Sequence, residues 1–125
     1  MDAATLRRFC MELPGTSEDL PFGEDVLAFR VLGKIYALVF LPASPLRVNL
    51  KCDPQRALAL RQQCTGITPG YHMNKRLWNT VIQDDSVDDA LLKDLVLHSR
   101  EEVLATLSAA QRRSLQGSGG PAGHQ

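Results

Sequence analysis

Aromatic residues make up 6% of this 125-residue chain, and tryptophan occurs once, at Trp78. Cysteine is equally sparse: Cys10, Cys52 and Cys64 are odd in number, far apart and never in a CxxC pair. That pattern argues against a disulfide framework and a zinc knuckle, and favours reduced thiols packed as small hydrophobes. A zinc site from Cys52, Cys64 and His72 is the remaining alternative, though its spacing matches no standard ligand pattern. No apolar run approaches the roughly 18 to 20 residues that span a bilayer, and no secretory signal is legible near acidic Asp2. A cytoplasmic, non-membrane protein is the expectation. There is neither a GxGxxG nor a GxxxxGK[ST] stretch, so a dedicated nucleotide-phosphate loop is not expected.

What is present is a strong segregation of charge. The formal net charge is +0, but residues 1–25 carry six acids against two bases, 26–83 eight bases against one acid, and 84–125 seven acids against four bases. The segments therefore read −4, +7 and −3. Inside the basic segment, PGYHMNKRLWNTV (69–81) gathers Tyr71, His72, Asn74, Lys75, Arg76 and Trp78. Cations interleaved with rings suit an anionic polymer, because Lys and Arg neutralise phosphates while aromatic faces stack on bases.

The size and a hydrophobic content of 44% fit one domain with one core. Leu6, Phe9, Cys10 and Leu13 share a helical face that Asp2 can cap and that Pro14 and Gly15 stop. Residues 16–25 read as an irregular acidic loop. Val26 to Leu32 and Lys34 to Leu41 read as a tight hairpin about Gly33, followed by a third strand, Leu46 to Lys51. That strand alternates: Leu46, Val48 and Leu50 face the core, while Arg47, Asn49 and Lys51 form an outward row. Asp53-Pro54 starts a helix running to Gln63 with Ala57, Leu60 and Cys64 inward. Trp78 to Gln83 is a further strand. Ser86 and Asp89 form a capping box for a long helix with Leu92, Val96, Ser99, Val103 and Leu107 as its buried stripe. The expected fold is α+β: a single compact domain over 1–115, a largely antiparallel sheet with helices packed on one face, and a flexible tail over 116–125.

Enzymatic readings are limited by the single carboxylate of the basic segment, Asp53, whose Asp-Pro setting marks a helix cap. His72 has no Ser or Asp arranged around it locally, so it is read as a hydrogen-bonding contact or a structural residue before a catalytic one. Trp78 packs in the core or meets a ligand, and the sequence leaves both open. Glu18, Asp19, Glu24 and Asp25 could offer oxygen ligands to a hard cation, but they lack a fixed spacing and read as a solvated loop.

The three stretches PFGEDVLAFRVLGKIYALV, PLRVNLKCDPQRAL and PGYHMNKRLWNTV, in that order, resemble the MmcQ/YjbR family of small bacterial proteins over about Leu6 to Leu107. The resemblance implies a frataxin-like (CyaY-like) arrangement, an antiparallel sheet with helices on one side, and a DNA-binding protein with a double-wing mode. The family's RVNLK and PGYHMNK patterns fall on Arg47, Asn49, Lys51, Tyr71, His72, Asn74 and Lys75. Where the family often has KRHW, this chain has Leu77 before Trp78, so no role for a second histidine carries over. The frataxin-like fold also brings an iron-binding alternative. Arg7 and Arg8 beside Glu12 on the first helix depart from the acidic helix it would need.

Together these readings give a DNA-binding module without catalysis, cofactor or metal, taken as a monomer. Arg47, Lys51, Lys75 and Arg76 would contact phosphates, Asn74 and His72 would hydrogen-bond, Tyr71 or Trp78 would stack or prop the loop, and Asn49 belongs to the same nucleic-acid-binding set. The alternative is a module that holds a small anionic ligand or a protein partner with the same residues.

Overall fold

The computed structural model describes residues 1–118 of the chain. Ten elements follow one another: α1 (Ala3–Met11), β1 (Thr16–Asp19), β2 (Val26–Val31), β3 (Lys34–Phe40), β4 (Arg47–Lys51), α2 (Pro54–Gln63), β5 (Ile67–Pro69), β6 (Trp78–Ile82), α3 (Asp89–Leu104) and α4 (Ala109–Ser118). The strands form one six-stranded sheet in the order β1-β2-β3-β4-β6-β5, every pair antiparallel. Leu6 and Cys10 of α1, Ala57 and Leu60 of α2, Leu92, Leu95, Val96 and Val103 of α3, and Leu115 of α4 join one buried cluster with Val39, Val48, Leu50 and Val81 of the sheet. The helices therefore share one face of the sheet, as the α+β reading expected.

Local signals account for most of this. Asp2 and Asp53 cap α1 and α2 by accepting the amides of Thr5 and Arg56, and Pro54 occupies the first turn of α2, where its missing N–H leaves no bond unmade. The β2–β3 turn has Leu32 at φ 49° and Gly33 at φ 80°, the paired left-handed residues that match a hairpin's twist. The β2–β3 register shifts between Phe29 and Arg30, leaving Tyr36 as the extra residue on β3. Tyr36 and Ala37 consequently both enter the helix-side core, where the Tyr36 hydroxyl meets Thr16 Oγ1 at 2.8 Å.

Four expectations are corrected. Residues 16–19 form edge strand β1 and not an irregular loop: Thr-Ser-Glu-Asp has no apolar period to read, and its Glu18 and Asp19 are bonded by Arg7 and Arg30. Ser86 does not cap α3. Gly66 approaches the Ile82 carbonyl so closely that an added Cβ would lie 2.2 Å from that oxygen, and the Gly66 amide takes Ser86 Oγ as its acceptor at 3.0 Å. Asp88 caps in its place, accepting the Leu91 amide at 2.7 Å. Leu107 is buried but lies beyond the end of α3 at Leu104. The expected tail begins inside α4, which runs to Ser118, and its remainder, 119–125, lies outside the described residues.

Candidate nucleic-acid interface

The sheet face without helices carries the site. Strand alternation puts Leu38, Asn49 and Thr80 there in one cross-strand row, because their neighbours along each strand, Ala37 and Val39, Val48 and Leu50, and Val81, belong to the helix-side core. On this face Asn49 is 1% exposed and Leu38 and Thr80 are also buried. Their cover is the segment between β5 and β6.

Buried polar bonds fasten that segment. Asn49 Nδ2 donates to the Tyr71 carbonyl at 3.0 Å, the Thr80 hydroxyl donates to Asn49 Oδ1 at 2.6 Å, and the Tyr71 amide donates to Thr80 Oγ1 at 2.8 Å. The far end is held from the helix side by Arg61 of α2, which donates to Asn79 Oδ1 at 2.7 Å and to the Lys75 carbonyl. Asn74 turns the chain between these ties: its Oδ1 accepts the Arg76 amide at 2.9 Å and its carbonyl the Trp78 amide at 3.0 Å. His72 sits at φ 59°, a left-handed backbone that is uncommon away from glycine, inside a turn closed by the Met73 amide on the Gly70 carbonyl.

The expected outward row is corrected here. Asn49 does not stand toward a partner; it is the buried clasp of the loop, because a bonded amide is tolerated inside where an unbonded one costs about 1–3 kcal/mol. Arg47 is half-buried, its guanidinium carbon 4.8 Å from the Phe40 ring centroid and 5.0 Å from that of Tyr71. Lys51 is half-buried across the β4–β6 ladder from Trp78. Trp78 is half-buried and outside the helix-side core, so it adds a ring to the helix-free face. Tyr71 is 50% exposed and its ring centroid lies 3.9 Å from that of His72 at a tilt of 50°. Lys75 and Arg76 are exposed. Among the described residues none of Arg47, Lys51, Lys75 and Arg76 has a carboxylate partner, whereas Arg30 and Arg56 of the same basic segment pair with Asp19 and Asp94.

A groove of about 300 Å³ opens beside the loop, lined by Leu38 and Asn49 of the sheet, by Phe22 and Phe40, and by Tyr71, His72 and Met73 of the loop. The sequence reading missed Phe22, Phe40 and Met73. Phe22 had left a signal: a large apolar side chain between Pro21 and Gly23 in an acidic connection has no core to join, and it is 64% exposed. The metal readings do not assemble. Cys52 and Cys64 are in the helix-side core while His72 is exposed in the segment over the other face, and among the described residues no three His, Cys, Asp or Glu side chains are placed to hold an ion. Burial pushes the Cys10 thiol up to about 12 and the Cys52 thiol up to about 11.

The YjbR family model matches residues 11–102. The chain belongs to the YjbR family. It is 36% identical over 116 residues to the uncharacterized protein YbdF of Escherichia coli O157:H7, covering 90% of this chain and 92% of that one. The uncharacterized protein YjbR of Escherichia coli K12 is 30% identical over 115 residues, covering 92% and 98%. Among solved structures, the Deinococcus radiodurans protein DR2400 superposes with a TM-score of 0.85 at 40% identity, over 92% of this chain and 88% of that one. A Pseudomonas syringae protein does so with 0.70 at 27% identity, over 82% and 98%. The antiparallel sheet with its helices on one face is thus a property this YjbR-family chain shares with proteins of known structure. Among the described residues no helix is long and apolar enough to cross a membrane.

Proposed function

We propose that this YjbR-family protein binds DNA across the helix-free face of its sheet and performs no chemistry on it. One observation carries the reading: Arg47 and Lys51 share the helix-free face with the partly exposed rings of Tyr71, His72 and Trp78, exposed Lys75 and Arg76 stand in the adjoining β5–β6 segment, and none of the four cations has a carboxylate partner among the described residues. Cations without internal partners release counterions on meeting phosphates, and rings supply stacking surface. Catalysis is left out because the Cys10 and Cys52 thiols are core side chains raised by burial, and His72 contacts the Tyr71 ring without an acid or hydroxyl bonded to it among the described residues. A second reading, a small anionic ligand beside Arg47, is favoured by the groove itself.

Titration of Trp78 fluorescence with DNA at two salt concentrations tests the proposal. Binding that weakens with salt is expected, and Lys75→Ala with Arg76→Ala should flatten the dependence by about 0.9 log unit for each phosphate no longer neutralised. Absence of binding, or an unchanged slope in the double variant, removes this surface as the DNA site. Saturable binding of a small anion that salt hardly moves would favour the second reading.

A further inference from the structure

The groove between Phe22 and the Tyr71–Met73 segment is not needed for contact with a phosphate backbone. Its lining is mainly apolar, with Val26, Leu38 and Met73 beside the rings, and the polar groups come from Asn49, Tyr71 and His72. Phe22, 64% exposed, and Tyr71, 50% exposed, line the same groove, so its rim is a joined apolar patch of the kind that marks a binding site. A volume of about 300 Å³ lies at the lower end of the range for ligand pockets, suited to one small planar group. We propose that the groove receives a single unpaired base of DNA, so that the protein prefers single strands over duplex. This deepens the DNA reading and rests on it.

Shape and charge act together at this groove. Phe22, Phe40 and Tyr71 bring three rings to the lining of one groove, and aromatic side chains hold a base by stacking without regard to its identity. The Asn49 amide is spent on the Tyr71 carbonyl and the Thr80 hydroxyl, so it fixes the lining in place and leaves recognition to the rings. Beside the groove, Arg47 lies against Phe40 and Tyr71, with its Nε buried and unbonded among the described residues, and gives the adjoining phosphate a cation. Glu24 and Asp25 follow Phe22 in the chain and are exposed, which disfavours phosphates on that side and keeps the strand toward Arg47 and Lys51. A base in duplex is stacked and paired and must first be extruded, at a cost a single strand does not incur.

Affinities for a short thymidine oligonucleotide, an abasic strand of equal length and the matching duplex, each measured by Trp78 fluorescence or anisotropy, test this. The oligonucleotide should bind more tightly than the duplex and about 5- to 100-fold more tightly than the abasic strand. Phe22→Ala should remove most of that advantage while leaving abasic binding and the salt slope unchanged, and Phe22→Trp should restore it. Because Phe22 is outside the core, its truncation leaves the fold intact, which urea melting confirms. Equal affinity for all three probes, with Lys75→Ala/Arg76→Ala still weakening each, overturns the base pocket and leaves the DNA reading standing. No binding to any probe overturns both.

Discussion

Asn49 sits in the middle of β4 with its oxygen on the Thr80 hydroxyl and its amide on the Tyr71 carbonyl, and the Thr80 hydroxyl in turn accepts the Tyr71 amide. Asn49→Ala removes a partner from two polar groups that remain covered, so urea unfolding should show a loss of about 1–3 kcal/mol. The alternation of β4 was legible in the sequence, and Val48 and Leu50 are buried as it requires. What alternation does not say is whether the second face is bare. Asn49 reads as a surface residue only until a loop more than twenty positions downstream is laid over it, and no local period announces that. Arg47 was equally legible as a cation and illegible as a neighbour of Phe40 and Tyr71, since its rings come from two separate elements.

At the level of elements, the segment from Gly70 to Leu77 depends on how closely its start approaches β6. A Cβ on Gly70 would fall 2.8 Å from Trp78 Cβ and 2.9 Å from the Trp78 carbonyl oxygen, so the backbone would have to shift. Gly70→Ala should cost about 1–3 kcal/mol in denaturant melts and move the Trp78 emission maximum, whereas a glycine with open space around it, Gly23, marks no such crowding. Helices with caps and apolar stripes, α1, α2 and α3, and the β2–β3 hairpin were readable because each carries its own period and stop signals. Strands β1 and β5 were not: one is four polar residues and the other three residues ending in proline, and both exist by pairing at the edges of a sheet. Of the site, the basic and aromatic residues were visible as a cluster, while the groove was not, because Phe22, Leu38 and Met73 become neighbours only through the sheet.

For the whole molecule, the three charge blocks fold partly onto one another. Arg7 meets Glu18 within the acidic block, while Arg30 and Arg56 of the basic block are matched by Asp19 and Asp94 of the flanking ones. The hydrogen bond from Arg7 holds the Glu18 carboxyl below its usual range, and that from Ser86 does the same for Asp84. Each folded-state value lies under the unfolded one, so these contributions are present above the ordinary carboxylate range and are lost as pH falls through it. Urea midpoints should therefore hold steady near neutrality and decline below about pH 4.5, with Glu18→Gln showing a shallower decline. The two faces of the sheet are meanwhile assembled by different means: one by a shared apolar interior with four helices, the other by a loop pinned at Tyr71 from the sheet and at Lys75 from α2. His72 and Met73 lie between those pins and take no part in the helix-side core. The domain thus behaves as a frame with a clamped insert, so that a substitution at His72 or Met73 should alter what the groove presents while the apolar interior stays as it is.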